Sequence, residues 1–271
     1  MTDSTVLAHR LEGEGPPVVL LNGGMMTFPS WEAIAAPLRA RYRLLRFDFR
    51  GQLLSPPTSP AGVPADLAGH AADLAALLDR VGWTSAHLVG ASFGAEVALE
   101  FAAARPERAR SLVVITAMDR ETPEFRRGSD EMRALLARRV AHGDATEFYD
   151  LLVEGVYSHA YRRAEAATLD ARRAQTGALP EAWFAGVDRL LAALEGFDLT
   201  ARLARIRCPA LALLAADDRI MDGDRARALA AALSAEVAVH PTSGHALVVE
   251  DPDWVAGACL AFLDRQESAQ S

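Results

Sequence analysis

A mostly parallel α/β sheet covered on both faces by helices is predicted by three features of the 271-residue chain. Short, nearly continuous apolar runs recur along it, as expected of strands buried on both faces. These runs alternate with amphipathic stretches of helical period, so each strand is followed by a crossover helix leading to the next. Glycine-rich turns close two of the runs, at Asn22-Gly23-Gly24 and at Gly90-Ala91-Ser92-Phe93-Gly94.

The first strand is read at residues 18–21, followed by a helix over 31–40. A second strand at 42–47 ends on Asp48, and the Gly- and Pro-rich stretch 49–64 reads as loop. A helix over 65–81 places Leu67, Leu74, Leu77 and Leu78 on one face. A strand at 86–89 enters a helix at 93–104, and another strand occupies 111–116. From 119 to 207 no β-like run appears; Arg-, Glu- and Ala-rich helical stretches fill it, such as 130–142, 145–156 and 181–194. That is too long for a loop, so 119–207 is assigned as a helical insertion, with 1–118 and 208–271 as the core. Alternation resumes with a strand at 210–214, a helix at 224–233, a strand at 236–240 and a closing helix at 251–265.

Composition narrows the function classes. With 51% hydrophobic and 24% charged residues the chain has ample material for a core and is not disordered. A net charge of −8 repels phosphate backbones, which argues against nucleic-acid binding. All 28 basic residues are Arg. Without a lysine amine there is no Schiff-base chemistry and no P-loop lysine. Cys208 and Cys259 form no spaced metal pair and no disulfide framework, and read as small buried hydrophobes. Residues 1–14 show no apolar signal segment, and no run reaches the ~18 apolar residues of a membrane span. The expectation is a soluble cytoplasmic protein acting on a small molecule, with no nucleic-acid or membrane partner; a homodimer is left open.

The strongest local signal is Gly90-Ala91-Ser92-Phe93-Gly94, set between a strand and a helix. A nucleophile on such a sharp turn needs small neighbours so that the chains can pass. It also stands at a helix N-terminus, where developing negative charge is favoured. The competing reading is an ordinary helix-capping Ser. A Ser nucleophile needs a base and an orienting acid. Of the seven histidines, His245 alone follows a Gly in a loop after a strand; the other six read as structural or solvated. The acid is expected at the carboxyl end of a strand, where Asp217 and Asp218 both stand. Backbone N–H groups of Phe93 and of the Asn22-Gly23-Gly24 turn are the candidate oxyanion donors.

Together, Leu20-Leu21-Asn22-Gly23-Gly24, Asp48-Phe49-Arg50-Gly51, the Gly90–Gly94 motif, Cys208-Pro209 before Asp217-Asp218-Arg219-Ile220, and Gly244-His245 with Glu250-Asp251-Pro252 resemble the α/β-hydrolase superfamily over almost the whole chain. The likeness is to small bacterial members with a helical lid, among them esterases, enol-lactonases, C–C bond hydrolases and cofactor-free haloperoxidases. It implies an α/β-hydrolase fold with Ser92 as nucleophile, His245 as base, Asp218 as acid, and Gly24 and Phe93 as oxyanion donors. Some members carry the acid where Asp119 stands here, so Asp119 is the reserve. The chain departs from the pattern in having Asn22 for the family His, Leu53 for a Gly in the loop after Arg50, and Ala215 for a Gly.

The expected function is hydrolysis of a carboxylic ester or lactone through an acyl-enzyme, without metal or organic cofactor. Acyl transfer or cofactor-free perhydrolysis is one alternative; a slow-turnover ligand-binding or signalling protein is another. Met25, Met26 and Phe28, beside the oxyanion turn, are the expected substrate contacts. Phe125, Phe148, Tyr149, Tyr157, Tyr161, Trp183 and Phe184 either line an acyl pocket or pack the lid. Arg126, Arg127, Arg138, Arg139, Arg162 and Arg163 are expected to be solvated.

Overall fold

The computed structural model describes residues 7–57 and 65–270. Residues 58–64 of the expected loop, residues 1–6 of the N-terminal stretch and Ser271 lie outside the described residues. In chain order the elements are β1 (His9–Glu12), β2 (Pro17–Leu21), α1 (Glu32–Leu38), β3 (Arg43–Phe47), α2 (Leu67–Arg80), β4 (Ala86–Ala91), α3 (Phe93–Ala104) and β5 (Ala109–Ile115). Five helices follow: α4 (Pro123–His142), α5 (Thr146–Val156), α6 (His159–Ala164), α7 (Ala166–Thr176) and α8 (Glu181–Ala192). The chain ends with β6 (Ala210–Ala215), α9 (Gly223–Ala232), β7 (Glu236–His240), α10 (Leu247–Glu250) and α11 (Pro252–Gln270).

The seven strands form one sheet in the order β1-β3-β2-β4-β5-β6-β7. β1 runs antiparallel to β3, and the other pairs are parallel. The pleat sends alternate side chains into two cores. Val19, Leu21, Leu88, Leu112 and Val114 pack on one face with α2 and α3. Val18, Leu20, Val89, Val113 and Leu213 pack on the other with residues of α1 and α11. Leu67, Leu74, Leu77 and Leu78 of α2 are all buried, so its expected apolar face is the packed one.

β1 is a correction to the sequence reading, which placed no strand before residue 18. His9-Arg10-Leu11-Glu12 has no apolar run, because it sits at the sheet edge with its side chains half-buried or exposed. Edge pairing to β3, rather than core burial, makes it a strand.

β2 lies between β3 and β4, so successive connections leave it in opposite directions along the sheet. The carboxyl ends of β2 and β4 therefore open a crevice, the usual ligand position in such sheets. α4–α8 form the excursion between β5 and β6. Its neck is tied by an antiparallel bridge between Arg120 and Asp198, with Glu121 N donating to Phe197 O and Leu199 N donating to Asp119 O. Thr122 starts α4 by accepting from Phe125 N, with Pro123 at the first helical position, and Gly143 ends it in the left-handed region at φ 75°. Met132, Leu135, Leu136, Phe148, Phe184 and Val187 give the excursion its own small core. Leu190, Leu194, Leu199 and Leu203 return to the main one. Among the described residues no helix is long and apolar enough to cross a membrane.

Candidate active site

Ser92 follows β4 directly and takes φ 48° and ψ −123°, a conformation that costs a non-glycine residue of order 1–3 kcal/mol. The two flanking glycines are dictated by backbone approach. A Cβ on Gly94 would lie 2.2 Å from Leu21 O, and one on Gly90 would lie 2.4 Å from Gly94 O. Ser92 N donates to Ile115 O, and Ser92 O accepts from Ala95 N and Glu96 N, which pins the turn to β5 and α3. Although Ser92 holds the N-cap position of α3, its side chain makes no capping bond. The competing reading of a capping Ser therefore does not describe it.

The Ser92 Oγ lies 2.9 Å from Nε2 of His245. On the other side of the ring, Nδ1 lies 3.0 and 3.2 Å from the two Asp218 carboxylate oxygens. The network assigns the Nδ1 proton to the bond with Asp218, leaving Nε2 to accept from the Ser92 hydroxyl. Asp218 is itself fixed: its Oδ1 accepts from Ile220 N and Met221 N at 2.9 Å each. The His245 and Asp218 side chains are 9% and 6% exposed, so water competes little for their hydrogen bond. Asp217 turns the other way, accepting from His159 N at 2.9 Å. Asp119 pairs with Arg225 at 2.9 Å.

A cavity of about 470 Å³ opens beside this row, lined by Ser92 and His245 together with Gly24, Met25, Met26 and Phe93. Phe93 is the first residue of α3, where backbone N–H groups have no partner within the helix. Phe28 is not among the lining residues. It begins a short 3₁₀ turn (Phe28–Trp31), and its N donates to Asp48 Oδ1 at 2.8 Å, on the far side of the loop. Of the seven aromatic residues between 125 and 184, Phe125 and Tyr157 line the cavity. Phe148, Trp183 and Phe184 stack edge-to-face within the excursion instead.

Asn22, one departure from the family pattern, anchors a buried network. Asn22, fully buried, donates through Nδ2 to Phe47 O at 2.9 Å and to Asp48 and Gln52, while its Oδ1 accepts from Trp31 Nε1 at 2.9 Å. Gln52 accepts from Phe49 N at 2.8 Å and donates to Met26 O at 2.7 Å. The turn carrying Gly23 and Gly24 is thereby braced from behind. Leu53 is tolerated because, in the loop after Arg50, the left-handed region is occupied by Gly51, at φ 79°.

Three features escaped the sequence reading. Glu250 accepts from Ser158 N, Ser158 Oγ and Gly244 N, so one carboxylate ties the α5–α6 junction to the loop carrying His245. Ala246 N donates to Val156 O across the same seam. Arg172 of α7 reaches the cavity wall. Arg139, expected to be solvated, is buried, paired with Glu181 and stacked over Phe184 at 3.8 Å. Its alkyl stem and planar head cover the excursion's aromatic core.

Other titratable groups are displaced by burial. Glu96 sits one turn into α3, fully buried, accepting from Met118 N, and burial pushes its carboxyl well above the ordinary range. His70 is pushed down to about 3 by burial and by the nearby Arg50. The Cys208 and Cys259 thiols are free and raised to about 11 and about 12 by burial.

Comparison with known proteins gives the same architecture. A family model for the alpha/beta hydrolase fold matches residues 16–252. A protein of Pseudomonas savastanoi pv. phaseolicola (strain 1448A / Race 6), named "Putative carbamate hydrolase RutD", is 31% identical over 265 residues, covering 95% of this chain and 98% of that protein. Among solved structures, an alpha/beta hydrolase from a Medee basin deep-sea metagenome library superposes with a TM-score of 0.88 at 24% identity, over 95% of this chain and 94% of that one. The enol-lactonase of Burkholderia xenovorans LB400 superposes at 0.81 with 23% identity, over 97% and 98%. These two share the fold. A seven-stranded sheet with its crevice at the carboxyl ends of β2 and β4, matched by the family model over most of its length, places this chain in the α/β-hydrolase family, as a hydrolase.

Proposed function

We propose that this hydrolase cleaves a carboxylic ester or lactone through an acyl-enzyme on Ser92. One observation carries the reading: Ser92, His245 and Asp218, far apart in sequence, stand in hydrogen-bonded succession, with Ser92 and His245 at the wall of one cavity. Substrate binds with its carbonyl carbon before Ser92 Oγ. The hydroxyl proton passes to His245 Nε2 as the C–O bond forms. Asp218 remains ionised, holds the tautomer and stabilises the imidazolium. The N–H groups of Gly24 and Phe93 receive the oxyanion, each such donor being worth about 3–4 kcal/mol in the transition state. His245 then protonates the departing alcohol oxygen. Water, deprotonated by the same nitrogen, attacks the acyl carbon, releases the acid and restores the Ser92 hydroxyl.

The lining favours an acyl group of some size. Met25, Met26, Leu152, Val156, Val248 and Val249 present apolar surface to the cavity, and α4–α8 are read as the lid that roofs it. A second reading, hydrolysis of a carbamate, rests on the name of the Pseudomonas relative. The same three side chains would serve, because a carbamate carbonyl passes through a comparable oxyanion.

The test is a panel of p-nitrophenyl esters of increasing acyl length, lactones and an alkyl carbamate, run with the wild-type chain and with Ser92→Ala. Ester or lactone turnover that vanishes in Ser92→Ala supports the reading. Turnover of the carbamate alone selects the second reading, and activity unchanged in Ser92→Ala overturns both.

A further inference from the structure

Among the described residues the cavity wall contains one guanidinium, from Arg172, and no carboxylate. Arg172 lies on α7, is exposed, and among the described residues forms no ion pair. Several other arginines of the excursion differ. Arg173 is bound at two points by Asp150, at 2.6 Å each. Arg126, Arg133, Arg138 and Arg139 each hold a carboxylate. A net-acidic chain thus has acids enough for these arginines, yet leaves the one at the cavity without one. Tyr157 also lines the cavity, stacked on Tyr161 with ring centroids 5.0 Å apart, and its hydroxyl is a neutral donor, held further from ionisation by burial. The Arg172 guanidinium and the Tyr157 ring thus line the same cavity.

Resting on the serine-hydrolase reading, we infer that Arg172 and Tyr157 form an anion subsite, so that the preferred substrate is an ester or lactone bearing a free carboxylate on an otherwise apolar chain. A guanidinium offers paired N–H donors that match the two oxygens of a carboxylate. The rest of the wall, mostly Met, Leu, Val and Phe, fits the intervening methylenes. A single cation matches a monoanion; a phosphate dianion would leave charge unbalanced in apolar surroundings. Arg172 stays hydrated until substrate arrives, which avoids burying an unpaired charge in the empty site.

The probes are the p-nitrophenyl monoester of glutaric acid and its neutral counterpart, in which the free carboxyl is methylated. The wild-type chain is expected to favour the monoester by roughly tenfold in kcat/KM, the scale of a hydrogen bond to a charged group. Arg172→Gln should remove that preference, lowering the monoester-to-diester ratio of kcat/KM roughly tenfold through the KM of the monoester. A wild-type chain without the preference, or an Arg172→Gln chain that keeps it, overturns the inference while leaving the hydrolase reading intact. Glutarate binding gives an independent arm: by calorimetry it should bind Ser92→Ala about tenfold more tightly than the Ser92→Ala, Arg172→Gln double variant. Equal binding overturns the subsite. Unequal binding by a chain that hydrolyses neither probe would keep the subsite and sink the reading of ester hydrolysis through Ser92.

Discussion

Glu250 accepts hydrogen bonds from both the backbone N and the hydroxyl of Ser158, at 2.7 and 2.6 Å. Through its third bond, from Gly244 N, the same carboxylate steadies the residue before His245. A Cβ on Gly244 would lie 2.5 Å from Ser158 N, so glycine there allows the two segments to meet. Glu250 thus joins the loop carrying His245 to the α5–α6 junction, and on the proposed mechanism it is a positioning residue for the His245 imidazole.

Glu250→Ala should lower kcat roughly tenfold, because a shift of about 1 Å in a catalytic group can cost up to about a hundredfold. Ser158→Ala, which removes one charge-assisted bond of about 1.5–3 kcal/mol and the cap that Ser158 Oγ gives Tyr161 N at the start of α6, should have a smaller effect on kcat. The double variant should be little worse than Glu250→Ala alone, since the two changes break the same contact. Steady-state kinetics beside thermal melts check this; additive losses would show that the two side chains act separately.

The glycines of the Ser92 turn should respond to alanine very differently from Gly24. At Gly94 the added methyl meets backbone that cannot move aside, and a destabilisation of about 3 kcal/mol or more is expected, with loss of activity. At Gly24 nothing lies within 4 Å of the added Cβ, so stability should hold within about 0.5 kcal/mol. Denaturant unfolding of the two variants gives the comparison directly.

The turn behind the cavity depends on Gln52. Gln52→Ala removes the bond to Met26 O and leaves Phe49 N without its acceptor. The expected loss is about 2 kcal/mol, the cost of unsatisfied buried partners, together with a fall in kcat/KM from the loosened Gly23-Gly24 turn. Urea unfolding and ester hydrolysis measure the two effects; a loss of stability with unchanged kcat/KM would separate the brace from the turn.

Glu96 sets a pH dependence of stability. Its folded-state affinity for a proton is raised by burial, so at low pH, where the carboxyl is protonated in both states, burial carries no ionisation penalty. As pH rises through the ordinary carboxylate range near 4.5, the unfolded chain releases its proton while the folded one keeps it, and stability falls with further increase. Glu96→Gln, neutral throughout, should melt a few degrees above wild type at pH 8, with the gap closing toward pH 4. A gap independent of pH would contradict the assignment.

Much of this was legible in the sequence because it is local. Strands such as Val18–Leu21 show themselves as apolar runs, since both faces are buried. Ser92 is marked by its flanking glycines, which steric contact with Leu21 and Gly94 requires. Asp217 and Asp218 were equivalent by position, and the backbone bonds from Ile220 and Met221 that orient Asp218 depend on the turn's geometry. β1 was illegible because an edge strand needs no apolar run. α6 and α7, rich in Ala and Arg, expose most of their surface and show little apolar periodicity. Ser158 and Glu250 meet only in three dimensions, and Arg172 is one arginine among many until the cavity sets it apart.

The central claim is nucleophilic attack by Ser92, and fluorophosphonate labelling read by intact mass and peptide mapping tests it most directly. The account predicts one adduct per chain, located on Ser92, with labelling slowed at least a hundredfold in His245→Ala, in line with the contribution of a general base. An adduct on another residue, or a wild-type chain that remains unlabelled while folded, would contradict it.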